Sequence, residues 1–210
     1  RDKDATVKED SYKSDFSSFK MAGKWNLKFS THSWIREIHA ATSVSWQWEK
    51  MRETKSVSLN RPAAIATQTE TGESDGIYLP YNYVAQMEID GKPLYVTVSA
   101  RTHLAFPLGG LQNRMNLGVE WNYQKNLGKG QVFDVTRPIS EGLSTRPRRF
   151  KDIPGLQPFA FYAEEVLNLP VKRHKLAFTA GIRLQSLLGL DRKYEMQGKI
   201  YTDLRLDLQW

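Results

Sequence analysis

Hydrophobic and polar positions alternate with a period of two along most of this chain. The pattern is clearest over residues 94–123. There Leu94, Val96, Val98, Ala100, Leu104 and Phe106 fall on one face of an extended strand, and Tyr95, Thr97, Ser99, Arg101 and His103 fall on the other. After Pro107-Leu108-Gly109-Gly110, the apolar face returns as Met115, Leu117, Val119, Trp121 and Tyr123, opposite Asn116, Gly118, Glu120, Asn122 and Gln124. One face is continuously apolar and the other is wet. Each run is roughly the 9–11 residues that a tilted strand needs to cross hydrocarbon, which predicts membrane-crossing strands.

In chain order, residues 1–22 are charged and Ser-rich, with Phe16 and Phe19 as bulky anchors, and read as a linker or loop. From Gly23, Trp25, Leu27 and Phe29 alternate with Asn26, Lys28 and Ser30. After a connection, Ile38, Ala40, Thr42, Val44, Trp46 and Trp48 alternate with His39, Ala41, Ser43, Ser45, Gln47 and Glu49. Residues 50–76 lose periodicity and predict a long exposed loop. Tyr83, Ala85, Met87 and Ile89 start a strand that Asp90-Gly91, a tight-turn dipeptide, is expected to reverse into the 94–106 run. Residues 125–157, with Gly, Pro and clustered Arg, predict a second long loop. Phe159, Phe161 and Ala163 resume the alternation. It continues through Leu176, Phe178, Ala180, Ile182 and Leu184, and closes with Thr202, Leu204, Leu206, Leu208 and Trp210.

The expected fold is all-β: an antiparallel up-and-down meander of about eight strands over residues 23–210, a partial transmembrane β-barrel with long loops. One count conflicts with it. Taking Asp90-Gly91 and Pro107 as turns puts residues 125–157 on the opposite side from residues 50–76, whereas the long connections of such a barrel share the outside. The conflict disappears if residues 83–89 do not span and belong to an extracellular hairpin.

Two features favour lipid over a soluble core. The outward positions carry no charge over whole strands, and a lipid-facing Arg costs roughly 2–4 kcal/mol at mid-bilayer. Trp46, Trp48, Trp121, Tyr123, Phe159, Phe161 and Trp210 sit toward strand ends, where aromatic girdles belong. Two alternatives stay open. One is a soluble β-sandwich binding module whose apolar faces cover each other, and the other is a complete small eight-stranded barrel acting as an anchor or adhesin. Composition narrows the class. A length of 210 residues suits one domain. A mean hydropathy of −0.54 without any long apolar run excludes a helical membrane protein but not a barrel, whose lumen side is polar. No cysteine is present, so disulfide and thiol chemistry are absent. The net charge of +7 would suit an acidic partner such as nucleic acid or an anionic lipid head group, but a scattered loop excess of Lys and Arg accounts for it, and no nucleic-acid partner is expected. Arg1-Asp2-Lys3-Asp4 lacks an apolar signal region, so an exported protein would be missing its first part.

Three passages resemble the TonB-dependent outer-membrane receptors. The first starts at Gly91-Lys92-Pro93-Leu94 and runs on to Asn116-Leu117-Gly118-Val119-Glu120-Trp121. The second is Lys125-Asn126-Leu127-Gly128-Lys129-Gly130 with Thr136-Arg137-Pro138. The third joins Phe161-Tyr162-Ala163-Glu164-Glu165, then Leu176 with Gly181-Ile182-Arg183, and the closing Asp203-Leu204-Arg205-Leu206-Asp207-Leu208-Gln209-Trp210. The resemblance implies the bacterial outer membrane, a barrel of about 22 strands with an N-terminal plug, and nutrient uptake energised through the periplasmic partner TonB. Neither the plug nor the TonB-contacting motif is recognisable here. The expectation is therefore an internal fragment, with the plug and the remaining strands belonging to a parent through which TonB would act. The substrate class stays open among siderophore, vitamin, glycan and peptide.

Candidate chemistry is sparse. Arg101, Glu120, Tyr162, Glu164, Arg183, Asp203 and Arg205 are the lumen-facing residues where a passing ligand or the plug would make polar contacts; inter-strand charge pairing would use the same residues. Arg146, Arg148, Arg149 and Lys151 form a basic loop group suited to an anionic ligand or lipopolysaccharide phosphates, or simply a solvated loop. His32, His39, His103 and His174 show no metal-ligand spacing, and His39 and His103 are explained as polar lumen residues. Glu164 and Glu165 point to opposite faces and cannot act as a paired acid and base. No catalytic constellation, metal or cofactor is expected.

Overall fold

The alternating stretches become paired strands in the computed structural model, which describes residues 10–58, 63–68, 74–79, 81–108, 111–139, 147–171 and 174–209. In chain order these are β1 (Ser11–Lys28), β2 (Ile35–Ser58), β3 (Ala63–Gln68), β4 (Ser74–Leu79), β5 (Asn82–Gly91), β6 (Pro93–Leu108), β7 (Leu111–Asn126), β8 (Gly130–Phe133), β9 (Gln157–Val171), β10 (His174–Leu188) and β11 (Ile200–Gln209), with a 3-10 turn at Phe150–Asp152. Nine strands form one sheet in the order β11-β10-β9-β7-β6-β2-β5-β8, with β1 also on β2, while β3 and β4 pair separately. The protein is all-β and antiparallel, as the alternation requires, and among the described residues no pairing joins the ends of the sheet. No helix of the described residues is long and apolar enough to cross a membrane, which leaves membrane-crossing strands untouched.

The chain divides into two compact units. One takes residues 1–19, 46–94 and 125–153. Here β2 pairs with β5 from Glu49↔Gly91 to Ser58↔Asn82, and β8 pairs with β5 from Met87↔Phe133 to Asp90↔Gly130. A small core gathers Leu79, Tyr83 and Ala85 against Val57 and Ile139, and the Tyr83 hydroxyl donates to the Pro138 carbonyl at 2.8 Å. Gly130 adopts φ +104°, and a Cβ there would lie 1.8 Å from the Arg148 carbonyl oxygen. Only glycine fits that approach.

Several expectations are corrected in this unit. Residues 11–22, read as linker, lie in β1, and β1 also runs on beyond this unit. The loop read at 50–76 instead contains the end of β2, then β3 and part of β4, paired from Ala63↔Leu79 to Gln68↔Ser74. The loop read at 125–157 contains β8 and the 3-10 turn. Asp90-Gly91 is not a hairpin turn: Asp90 and Gly91 are ladder residues opposite Lys50 and Glu49, and Gly91 is not among the positive-φ glycines. A hairpin would make β5 and β6 neighbours, whereas both lie beside β2. With that turn removed the parity conflict dissolves, and both long connections fall in the same compact unit.

The second unit takes residues 20–45, 95–124 and 154–210. Its register aligns whole rows across four strands. Leu117, Ala163, Ile182 and Leu204 are mutual partners on β7, β9, β10 and β11, and the next row is Gly118, Tyr162, Arg183 and Asp203. Neighbouring rows of a pleated sheet face opposite sides, so the first row is apolar and the second polar. One row departs from the expected charge-free face: Glu165 stands opposite Met115 and Ala180, where it accepts a 2.8 Å hydrogen bond from the Asn113 amide. Little of the apolar face is covered. Leu204, Leu206 and Leu208 are 64–76% exposed, and Val119, Phe178 and Ile182 exceed one third. The accessible surface of the chain is 15198 Å² at 24.2 kDa, against about 10,000 Å² for a soluble monomer of that mass.

Candidate functional site

The polar face of the second unit gathers the residues with chemistry. Period-two alternation brings Lys24 and Asn26 of β1, His39 of β2, Arg101 of β6, Glu120 of β7 and Tyr162 of β9 to one hollow of about 430 Å³. The Tyr162 ring lies over Gly118, where a Cβ would sit 2.1 Å from its Cζ, so the missing side chain is what lets the ring cross the neighbouring strand. Glu120 accepts from the Asn122 amide at 2.8 Å, and Asn122 Oδ1 accepts from the Thr97 hydroxyl at 2.8 Å. These bonds hold the hollow's β6 and β7 walls in one register.

Beside Tyr162, Glu164 accepts from Asn116 Nδ2 at 3.2 Å and lies 3.9 Å from the Arg205 guanidinium. Arg183 and Asp203 are direct partners across β10 and β11. The register thus puts Tyr162, Glu164, Arg183, Asp203 and Arg205 on one face, and three of the seven expected residues, Arg101, Glu120 and Tyr162, line one hollow. The basic group belongs to the other unit. Arg148, Arg149 and Lys151 are exposed around the 3-10 turn, with the Arg148 main chain bridged to Gln131, and Arg146 lies outside the described residues.

The structure also assembles a cluster that sequence spacing did not reveal. Glu37 and His39 share a face of β2, and His103 reaches them from β6, so that one nitrogen of each ring and a carboxylate oxygen lie within 4.8 Å of one another. A second hollow of about 710 Å³ adjoins them, walled by Arg36, Glu37, His103, Asn113, Arg114 and Asn116. Glu37-Ile38-His39 was the available signal, since residues two apart on a strand share a side. The third residue, His103, comes from a strand far away in sequence and has no local signature.

The apolar rows carry their own geometry. On β2 the row Ile38, Ala40, Thr42, Val44, Trp46, Trp48 passes into Lys50 and Arg52, and on β7 the row Met115, Leu117, Val119, Trp121, Tyr123 passes into Lys125. Trp46 and Trp48 have ring centroids 4.6 Å apart, Trp121 and Tyr123 stack at 6.2 Å, and Phe159 is the direct partner of Trp121. Trp210, also expected in a girdle, lies outside the described residues. Arg52 and Lys50 both reach Glu88, at 2.8 and 3.4 Å, just beyond the Trp pair. No family model matches the chain, and neither the curated proteins nor the solved structures contain a match.

Proposed function

We propose that this chain is part of the wall of an outer-membrane TonB-dependent receptor, with its apolar face toward lipid and its polar face lining the path of an imported nutrient. The observation that carries the reading is the asymmetry of the sheet: a hollowed polar face backed by an apolar face largely uncovered among the described residues, whose rows end in aromatics and then in Lys and Arg. The dimensions agree with a bilayer. Ten rises from Ile38 to Trp48 make about 34 Å of strand, and a tilt of about 40° reduces this to about 26 Å, beside an apolar band of about 25 Å. A soluble sandwich would need a second sheet over the apolar face, and a complete eight-stranded barrel would need its first and last strands paired. Receptor membership and nutrient uptake rest on the three resembling passages, and siderophore, vitamin, glycan or peptide remain the substrate classes. The plug, the remaining strands and TonB would act with this chain as parts or partners of the parent.

Light scattering of the chain made alone tests the lipid assignment: aggregation without detergent and monodispersity with it are expected. Fractionation of cells producing the protein tests the location. It should partition with the outer membrane, and protease added to intact cells should cut within residues 59–81 or 134–150. A monodisperse soluble monomer, or recovery in the soluble fraction, overturns the reading.

A further inference from the structure

We propose that Glu37, His39 and His103 form a binding site for a borderline divalent cation, Zn²⁺, Ni²⁺ or Cu²⁺. Two imidazoles and one carboxylate are the donor set these ions take, and they leave open positions for a further ligand. His39 Nε2 and Glu37 Oε2 are 3.0 Å apart, close to the roughly 3.3 Å edge of a tetrahedron with metal–ligand distances near 2.0–2.1 Å. Both side chains are about three-quarters buried, with relative exposures of 23% and 24%. The His39 and His103 rings meet edge to face with centroids 5.3 Å apart.

The surroundings orient His103 as a ligand. Its Nδ1 faces Asn116 Oδ1, and the Asn116 amide is fixed that way round because Nδ2 donates to Glu164, which accepts only. An amide oxygen accepts only, so His103 Nδ1 carries the proton and the lone pair is left on Nε2. This is how second-layer partners prepare a metal-binding imidazole. On the other ring, the ion would replace the proton that His39 Nε2 shares with Glu37. The adjoining hollow, which Glu37 and His103 line, leaves space for a further ligand. The inference stands on the placement of β2, β6 and β7 and not on the transport reading.

The test is titration of the full chain, folded in detergent, with Zn²⁺ alone by calorimetry, followed by Cu²⁺ for paramagnetic resonance. One saturable ion per chain is expected, with hyperfine splitting from two imidazole nitrogens. His39→Ala and His103→Ala should abolish binding, Asn116→Ala should weaken it about 10- to 100-fold, and His32→Ala should leave it unchanged. Circular dichroism checks that each variant folds. If a histidine variant does not fold, the nitrogen count on the unaltered chain decides. No saturable binding, fewer than two nitrogen ligands, or loss of the site in His32→Ala overturns the proposal.

Discussion

Val98→Arg and Ser99→Arg place the same guanidinium on adjacent residues of β6 and on opposite faces of the sheet. Val98 is 44% exposed in a row of apolar side chains, whereas Ser99 lines the 430 Å³ polar hollow. If the apolar face meets hydrocarbon, Val98→Arg costs about 2–4 kcal/mol near the midplane. At about 1.4 kcal/mol per decade, this lowers the folding equilibrium constant by about 30- to 700-fold. Ser99→Arg enters a wet face beside Glu120 and should stay within about 0.5 kcal/mol, the usual range for a surface change. If the apolar face instead meets water, both substitutions fall in that small range. The assay is urea unfolding of the chain refolded in phosphatidylcholine vesicles, followed by fluorescence of its six tryptophans. Equal effects of the two substitutions, or a larger effect of Ser99→Arg, would refute the assignment of faces.

Gly118→Val should cost about 1–3 kcal/mol in the same titration, because the new side chain takes the space of the Tyr162 ring; an unchanged midpoint would show that the ring does not lie there. Tyr83→Phe removes the bond to the Pro138 carbonyl and should lower stability by about 0.5–1.5 kcal/mol, with faster hydrogen exchange confined to the unit that holds residues 134–139. The Arg52 hydrogen bond, with Lys50 beside it, holds the Glu88 carboxyl below its ordinary range. Stability from this group is present above the unfolded value of about 4.3 and is lost as pH falls through the lowered folded value. Glu88→Gln should remove that acid-sensitive part, worth less than about 1 kcal/mol for an exposed pair, and an unaltered acid limb of the stability profile would exclude it.

Much of the candidate site was legible because a strand's two faces are set by parity alone. Arg101, Glu120, Tyr162, Glu164, Arg183, Asp203 and Arg205 could be assigned to one face without knowing a single pairing, and the described register aligns five of them on β9 to β11. What parity does not contain is which strands are neighbours. Asp90-Gly91 has the local chemistry of a turn, yet its main-chain groups are taken up by Lys50 and Glu49, some 40 residues earlier, and that long-range ladder keeps the chain extended. Residues 11–22 looked like linker because Ser and Lys interrupt their pattern; pairing along β2 supplies the order that their own composition does not. The same division separates the two kinds of polar residue. Sequence alone determined an all-β chain with one wet and one apolar face, because alternation is a property of each strand by itself. Only the tertiary structure decided that Glu37 and His39 meet His103, and that His103 meets Asn116, because strand partnership is fixed by hydrogen bonds between segments far apart in the chain.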